Sequence, residues 1–212
     1  MVAALVMLGT VGSARRPTHN PNRADRGAAR DLVAGMRQGE RGRWLVTFEF
    51  TRKLANGRVL TQAMREGRVP SLRVLTSGTS MTVEKRAEHF DCNLVGERSE
   101  CSPTATGRVL PPSEVLRVSV AAGAYGVERR AAETIAGERA RCFRVRATGP
   151  ATIPDLGAAT DLCVSDDGIV LRQRVEKASG DVDERVARSV RRGVTTRAIE
   201  AVIRDFDPRG AG

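Results

Sequence analysis

Residues 44–50 alternate strictly: Trp44, Val46, Phe48 and Phe50 fall on one side of an extended chain, and Leu45, Thr47 and Glu49 on the other. A period of two marks a half-buried strand, because successive side chains leave a pleated backbone on opposite faces. Ahead of it the period is that of a helix. Ala28, Leu32 and Met36 recur at every fourth position with Ala29 and Val33 beside them, and Gly39 and Gly42 end the stripe. Downstream, Asn56-Gly57 has the chemistry of a tight hairpin turn, and residues 58–67 read as the returning strand. Residues 71–77 and 80–88 flank Ser77-Gly78 as two more, and residues 89–95 as a fifth.

The strand pattern breaks at residues 110–123, where Pro111-Pro112 followed by Ser113-Glu114 resembles a helix entry. Leu116, Val118 and Val120 would also suit a strand; the segment is read as a helix. Residues 124–147 predict two strands turning near Gly137, and residues 162–176 predict a hairpin about Asp167-Gly168. Val186, Val190 and Val194 lie in phase along another strand, and Ile199, Val202, Ile203 and Phe206 form a helical stripe that ends before Pro208. Strands in series joined by short turns form an antiparallel meander. The expectation is an α+β domain of roughly nine or ten strands and two or three helices.

Composition adds three constraints. The 212-residue chain suits one domain, and with one Trp, one Tyr and five Phe its core must be mostly aliphatic. The net charge of +10 favours anionic surfaces, yet the arginines are spread from Arg15 to Arg209 rather than gathered in one patch. The apolar run from Val2 to Leu8, followed by Gly12-Ser13-Ala14, resembles an export signal but lacks the usual positive charge ahead of it. Residues 1–14 are therefore read as a signal peptide or the remnant of a membrane anchor. Residues 15–26, polar and with Pro and Asn, are read as a linker, residues 27–206 as the domain, and residues 207–212 as a tail.

The four cysteines fit neither a C-x-x-C metal knuckle nor a redox motif, and only His19 and His89 could complete a mixed metal site. No metal or other cofactor is expected. Alternation puts Phe143, Val145 and Ala147 on one face and Cys142 on the other; Leu162 and Val164 likewise oppose Cys163. Pairing the two strands sets both cysteines opposite each other on the polar face, close enough to bond. Cys92 and Cys101 could close the local loop between them. Two bridges, worth about 2–4 kcal/mol each, require an oxidising compartment. The competing reading is four free buried thiols in a cytoplasmic protein.

No catalytic residue can be singled out. A serine triad would need His19 or His89 as its base, no G-x-S-x-G elbow is present, and His89 reads as a strand residue with a satisfied ring. Asp166-Asp167 beside Gly168 is turn chemistry. Arg185, Arg188, Arg191 and Arg192 could line phosphates, but no nucleic-acid-binding motif or aromatic stacking platform accompanies them, and no nucleic-acid partner is expected. A third possibility is a curved sheet whose concave side, covered by helices, encloses an apolar cavity.

The order of helix, "WLVTFEF" strand, meander, middle helix, "AGERARCFRV" strand, cysteine-bearing return strand and "DGIVLR" resembles the periplasmic lipoprotein-carrier superfamily. That superfamily includes LolA-like and LolB-like carriers, LppX/LprG-type lipoproteins and RseB-type sensor domains. The resemblance spans about residues 25–206, is strongest to exported actinobacterial members, and departs from the lipoproteins in lacking an N-terminal acylation cysteine. It implies a half-barrel with helices over a hydrophobic cavity, and non-catalytic binding or transport of a lipid or acylated ligand outside the cytoplasm, with a membrane surface or membrane protein as a further partner. Trp44, Val46, Phe48 and Phe50, with Val115 and Leu116 if the middle segment is helical, are the expected lining. The alternatives are an envelope sensor that binds a partner protein and, third, a polyanion binder.

Overall fold

The computed structural model describes residues 23–85, 88–95, 98–106, 110–149, 153 and 156–206. Residues 1–22 and 207–212 lie outside them, and with them the expected signal segment, most of the linker and the tail. Helix α1 (Arg23–Glu40) leads into a meander of β1 (Trp44–Lys53), β2 (Val59–Val69), β3 (Leu72–Ser77), β4 (Ser80–Lys85), β5 (Glu88–Val95) and β6 (Arg98–Thr106). Helix α2 (Pro112–Ala121) follows. Then come β7 (Tyr125–Arg129), β8 (Glu133–Ile135), β9 (Glu138–Ala147), β10 (Ala159–Ser165), β11 (Val170–Glu176) and β12 (Val182–Arg192), and helix α3 (Thr196–Phe206) ends the fold.

All strand pairs are antiparallel, in one 12-stranded open sheet of order β6-β5-β4-β3-β2-β1-β12-β11-β10-β9-β7, with β8 paired to β9. The chain runs out to one edge through β6, crosses by α2, and returns from the other edge, so that β1 and β12 meet in the middle. This is the curved half-barrel of an α+β fold. Helices α1 and α2 cover its concave face. Their residues Ala28, Leu32, Val33, Met36 and Leu116 pack on Tyr125, Val127, Phe143, Val145, Leu162 and Val164. Helix α3 takes the opposite face: Ile199 sits over Gly67 and Leu45, whose neighbours Trp44 and Glu66 point the other way.

Helix α1 is seated by a contact between backbones. Gly168, at φ 84° in the β10–β11 turn, lies so close to Gly35 and Gly39 that a Cβ on Gly39 would collide with its carbonyl group, and a Cβ on Gly168 with the Gly35 carbonyl. The Trp44 indole N–H then donates to the Gly39 carbonyl oxygen at 2.7 Å, fastening the helix end to the first strand. Helix α2 is capped from α1. Pro111 at its N-cap offers no side-chain acceptor, and the Glu40 carboxylate accepts from the Ser113 amide at 2.8 Å and from its hydroxyl at 2.5 Å. Arg37 and Glu114 add an ion pair between the helices at 2.9 Å.

Both bridges form: Cys92 joins Cys101, and Cys142 joins Cys163, each pair directly opposed across neighbouring strands. The face assigned to Cys142 and Cys163 needs correction. They are buried rather than on a polar face, packed with Ile135, Ala140, Ile169 and Leu171, because β8 and the neighbouring turns cover that side of the sheet. Cys92 and Cys101 do not close a loose loop but staple two paired strands. β6 escaped notice because residues 98–106 have no apolar alternation; its pairing is imposed by β5 and the bridge. Residues 124–147 form three strands instead of two. Helix α1 begins at Arg23, inside the expected linker, since Arg and Ala there favour helix without needing an apolar stripe.

Gly39→Ala is expected to destabilise the fold by about 1–3 kcal/mol in urea unfolding. Gly126→Ala, where an added Cβ meets nothing within 4 Å, should stay within about 0.5 kcal/mol of the parent.

Candidate functional site

Between the concave face and the two helices lies a cavity of about 960 Å³, near the upper end of the roughly 300–1,000 Å³ typical of small-molecule sites. Its walls differ in kind. The apolar side comes from Met36 of α1, Val115 and Leu116 of α2, Leu156, Leu162 of β10, and Val170 and Val175 of β11. Leu110, half exposed, stands where the chain enters α2. The opposing side is charged. It is built by Glu66 and Arg68 of β2, Arg73 of β3, Glu84 of β4, His89 of β5 and Arg185 of β12, with Arg52, Asp183 and Lys177 beyond them.

Strand register explains why these charges meet. On β2, Met64, Glu66 and Arg68 share one face and lie opposite Phe48, Val46 and Trp44 of β1. Arg68 pairs in register with Arg73, Arg73 with Glu84, and Glu84 with His89, so one cross-strand row runs over the inner face from β2 to β5. Arg185 arrives from β12 opposite Phe50. Glu66 is only 5% exposed and both its carboxylate oxygens are taken: Arg73 Nε donates to Oε1 at 2.9 Å and Arg185 Nη1 to Oε2 at 2.7 Å. Burial alone would raise the Glu66 pKa; the Arg73 and Arg185 guanidinium groups outweigh it and hold the pKa down to about 2. Arg73 also donates to Glu84 at 2.7 Å. Burial and the neighbouring Arg73 cation push Arg68 below the ordinary arginine range, against the opposing pull of Glu66, Glu84 and Glu40. Further along, Arg52 clamps Asp183 through two hydrogen bonds of 2.6 and 2.8 Å, and Lys177 adds a third contact to it at 2.7 Å. The Arg185 guanidinium lies 5.2 Å from the centre of the Phe48 ring, and that of Arg52 lies 5.7 Å from Phe50.

Of the six residues expected to line the cavity, Trp44, Phe50, Val115 and Leu116 stand at its wall. Val46 and Phe48 do not; at 0% and 1% exposure they belong to the packed core with Leu171 and Ala187. They are correct in face but covered by neighbours, which alternation alone cannot distinguish. The charged row was not singled out from the sequence; its signal lay in the phase of Glu66 and Arg68 with Met64. His89 is not a satisfied strand histidine: its Nδ1 is buried without a hydrogen-bond partner, 3.9 Å from Glu84. His19 lies outside the described residues.

The other singled-out groups disperse. Arg188 pairs with Glu49 at 2.7 Å, while Arg192 bridges Glu138 and Asp167, so with Arg185 turned inward the expected phosphate-lining row is broken. Asp167 accepts from the Ser165 hydroxyl at 2.6 Å, as a turn residue does. Among the described residues, Glu133, Cys142 and Cys163 bring ligand atoms within 4.8 Å of one another, but both sulfurs are spent in the bridge.

The depressed Glu66 pKa stabilises the fold above the ordinary carboxylate range, and that contribution is lost as pH falls from about 4.5 towards 2. Glu66→Gln leaves two buried guanidinium groups without their partner and should cost about 3–5 kcal/mol at pH 7. In chemical unfolding followed across pH, the gap between variant and parent should narrow as the pH falls through about 2 and close only below it, where the parent carboxyl is protonated in both states.

No protein-family model matches the chain, and no curated protein matches it. Solved structures do resemble it. The Pseudomonas aeruginosa MucA/MucB complex aligns with a TM-score of 0.54 and 17% identity over 79% of this chain and 58% of the other. A MucB crystal structure aligns at 0.52 and 17% over 80% and 60%. The chain therefore spans under two thirds of the length of those proteins. The Mycobacterium tuberculosis lipoprotein LppX aligns at 0.40 with 11% identity, over 78% of this chain and 98% of that one. The fold is shared with the MucB structures, whose open antiparallel sheet aligns with most of this chain.

Proposed function

We propose that this protein is a non-catalytic, extracytoplasmic binder of a lipid or acylated ligand, held in the cavity between the concave sheet face and helices α1 and α2. The observation that carries the reading is the cavity itself: about 960 Å³, covered by two helices, with one continuous apolar side. Interiors close-pack, and apolar side chains lining an open cavity forgo the contacts of a filled core, which an apolar occupant would restore. Apolar burial supplies the affinity, at about 0.8 kcal/mol for each methylene taken from water. Trp44, Phe50, Val115 and Leu116 are the assigned contacts. The two disulfides support maturation in an oxidising compartment, the cell envelope or beyond. Among the described residues no helix is long and apolar enough to cross a membrane.

A second reading has its own support. Among the matches with a TM-score above 0.5 is a structure of MucB in complex with MucA. A sensor or regulatory role, in which the half-barrel binds an extracytoplasmic segment of a partner protein, fits the same fold. The two readings separate on purification: a binder of lipid yields ligand without any partner chain, and a sensor retains a membrane protein without needing lipid.

Organic extraction of protein purified from an envelope fraction, followed by mass spectrometry, should release an acyl-chain compound in near-stoichiometric amount. Val115→Arg, which sets a charge into the apolar wall, should reduce that recovery at least about tenfold. An empty parent protein would remove the support for the lipid reading.

A further inference from the structure

The charged side of the cavity is unbalanced. Arg68, Arg73 and Arg185 face two carboxylates, Glu66 and Glu84, and the hydrogen bonds are shared unevenly. Glu66 is saturated by Arg73 and Arg185. Glu84 accepts from Arg73 at 2.7 Å and leaves Arg68 a distant 3.9 Å contact through its other oxygen. The one direct bond made by the Arg68 guanidinium is to a neutral acceptor, the Glu40 carbonyl oxygen, at 2.8 Å. The Glu40 carboxylate is itself engaged at the start of α2. Arg68 Nε, Arg185 Nε and His89 Nδ1 are all buried without a partner. The Arg68 side chain is only 14% exposed and that of Arg185 only 16%.

A buried cation with no carboxylate of its own is costly, and so are unpartnered buried donors. A sheet could avoid the cost by placing an apolar residue at position 68, as it does at Met64 on the same face. Here a cation with only a long carboxylate contact and an unpartnered Nε instead lines a cavity whose opposite wall is apolar. From this we infer that the ligand is an amphiphile with an anionic headgroup, a phosphate or carboxylate, which sets its charge against Arg68 and Arg185 and lays its chain beneath α1 and α2. Guanidinium forks suit both anions, offering paired donors in the plane of the acceptor oxygens. Glu66 and Glu84 hold the forks in place; Arg68 supplies a charge whose carboxylate contact is only a long one. This inference rests on the proposal that the cavity takes an acyl ligand, and it assigns that ligand's polar end.

The test compares ligands of one chain length on the full protein, below their micellar concentrations and at fixed ionic strength. Dodecyl phosphate, dodecanol and inorganic phosphate are titrated, with binding read from the emission of the single tryptophan, Trp44, at the cavity wall and checked by native mass spectrometry. Dodecyl phosphate should bind about tenfold or more tighter than dodecanol. Arg68→Gln should bring that ratio towards one; because a ratio is read, a general loss of affinity cancels. Arg188→Gln, on an arginine that pairs with Glu49 away from the cavity, should leave the ratio unchanged. Equal binding of phosphate ester and alcohol by the parent protein overturns the headgroup assignment while the acyl-binding proposal stands, and this needs no variant to fold. Binding of neither chain defeats both. Inorganic phosphate binding as tightly as dodecyl phosphate also overturns the assignment, since the site would then serve a free anion.

Discussion

The close approach of the α1 backbone to the β10–β11 turn sets the geometry of the whole concave side. At Gly39 and Gly168 the two backbones come nearer than any side chain would permit. This fixes where α1 ends, and hence where Glu40 stands to cap α2 and where Trp44 enters the first strand. The apolar stripe of α1 could slide along the sheet with little change in burial, because hydrophobic contact is non-directional. The glycine contact supplies the position that burial does not. With the roof held at that end, the space between it and the middle of the sheet stays open instead of collapsing into a filled core.

Beneath that roof the inner face changes character between strands. β9 and β10 present aliphatic and aromatic side chains to the helices, whereas β2 to β5 present a row of polar and charged side chains in register across the strands. Buried ion pairs are poor sources of net stability, since desolvation offsets most of their attraction. Their value here is positional. Glu66, gripped from both sides, ties β2 to β3 and to β12 through side chains, so that the two halves of the sheet are joined by charge as well as by the β1–β12 ladder. The same row makes one cavity wall polar, opposite the apolar one.

Much of this architecture is legible in the sequence because it is local. The alternation at 44–50, the Asn56-Gly57 and Asp167-Gly168 turns, and the stripes at 28–36 and 199–206 each specify an element from a few neighbouring residues. The Cys142–Cys163 pairing was legible as well, because opposed positions in a hairpin-like pair follow from register. Its burial was not, since the cover comes from β8 and distant turns. β6 was missed for a related reason: its residues have little preference of their own and are ordered by a partner strand. At the cavity, alternation identified the correct face of β1 but not which residues on it touch open space. The charged row depends on the alignment of β2 to β5 and β12, which no single segment encodes.

An open sheet, unlike a closed barrel, leaves a terminal strand with unmatched amides and carbonyls, a template on which another chain could build. At the end formed by β6, Pro103 lacks an amide hydrogen, the register shifts between His89 and Phe90, and the Cys92–Cys101 bridge locks the strand to its neighbour. The bridge thus does more than resist unfolding: it holds that margin to the sheet, so that the strand beneath it is not bared as a second template.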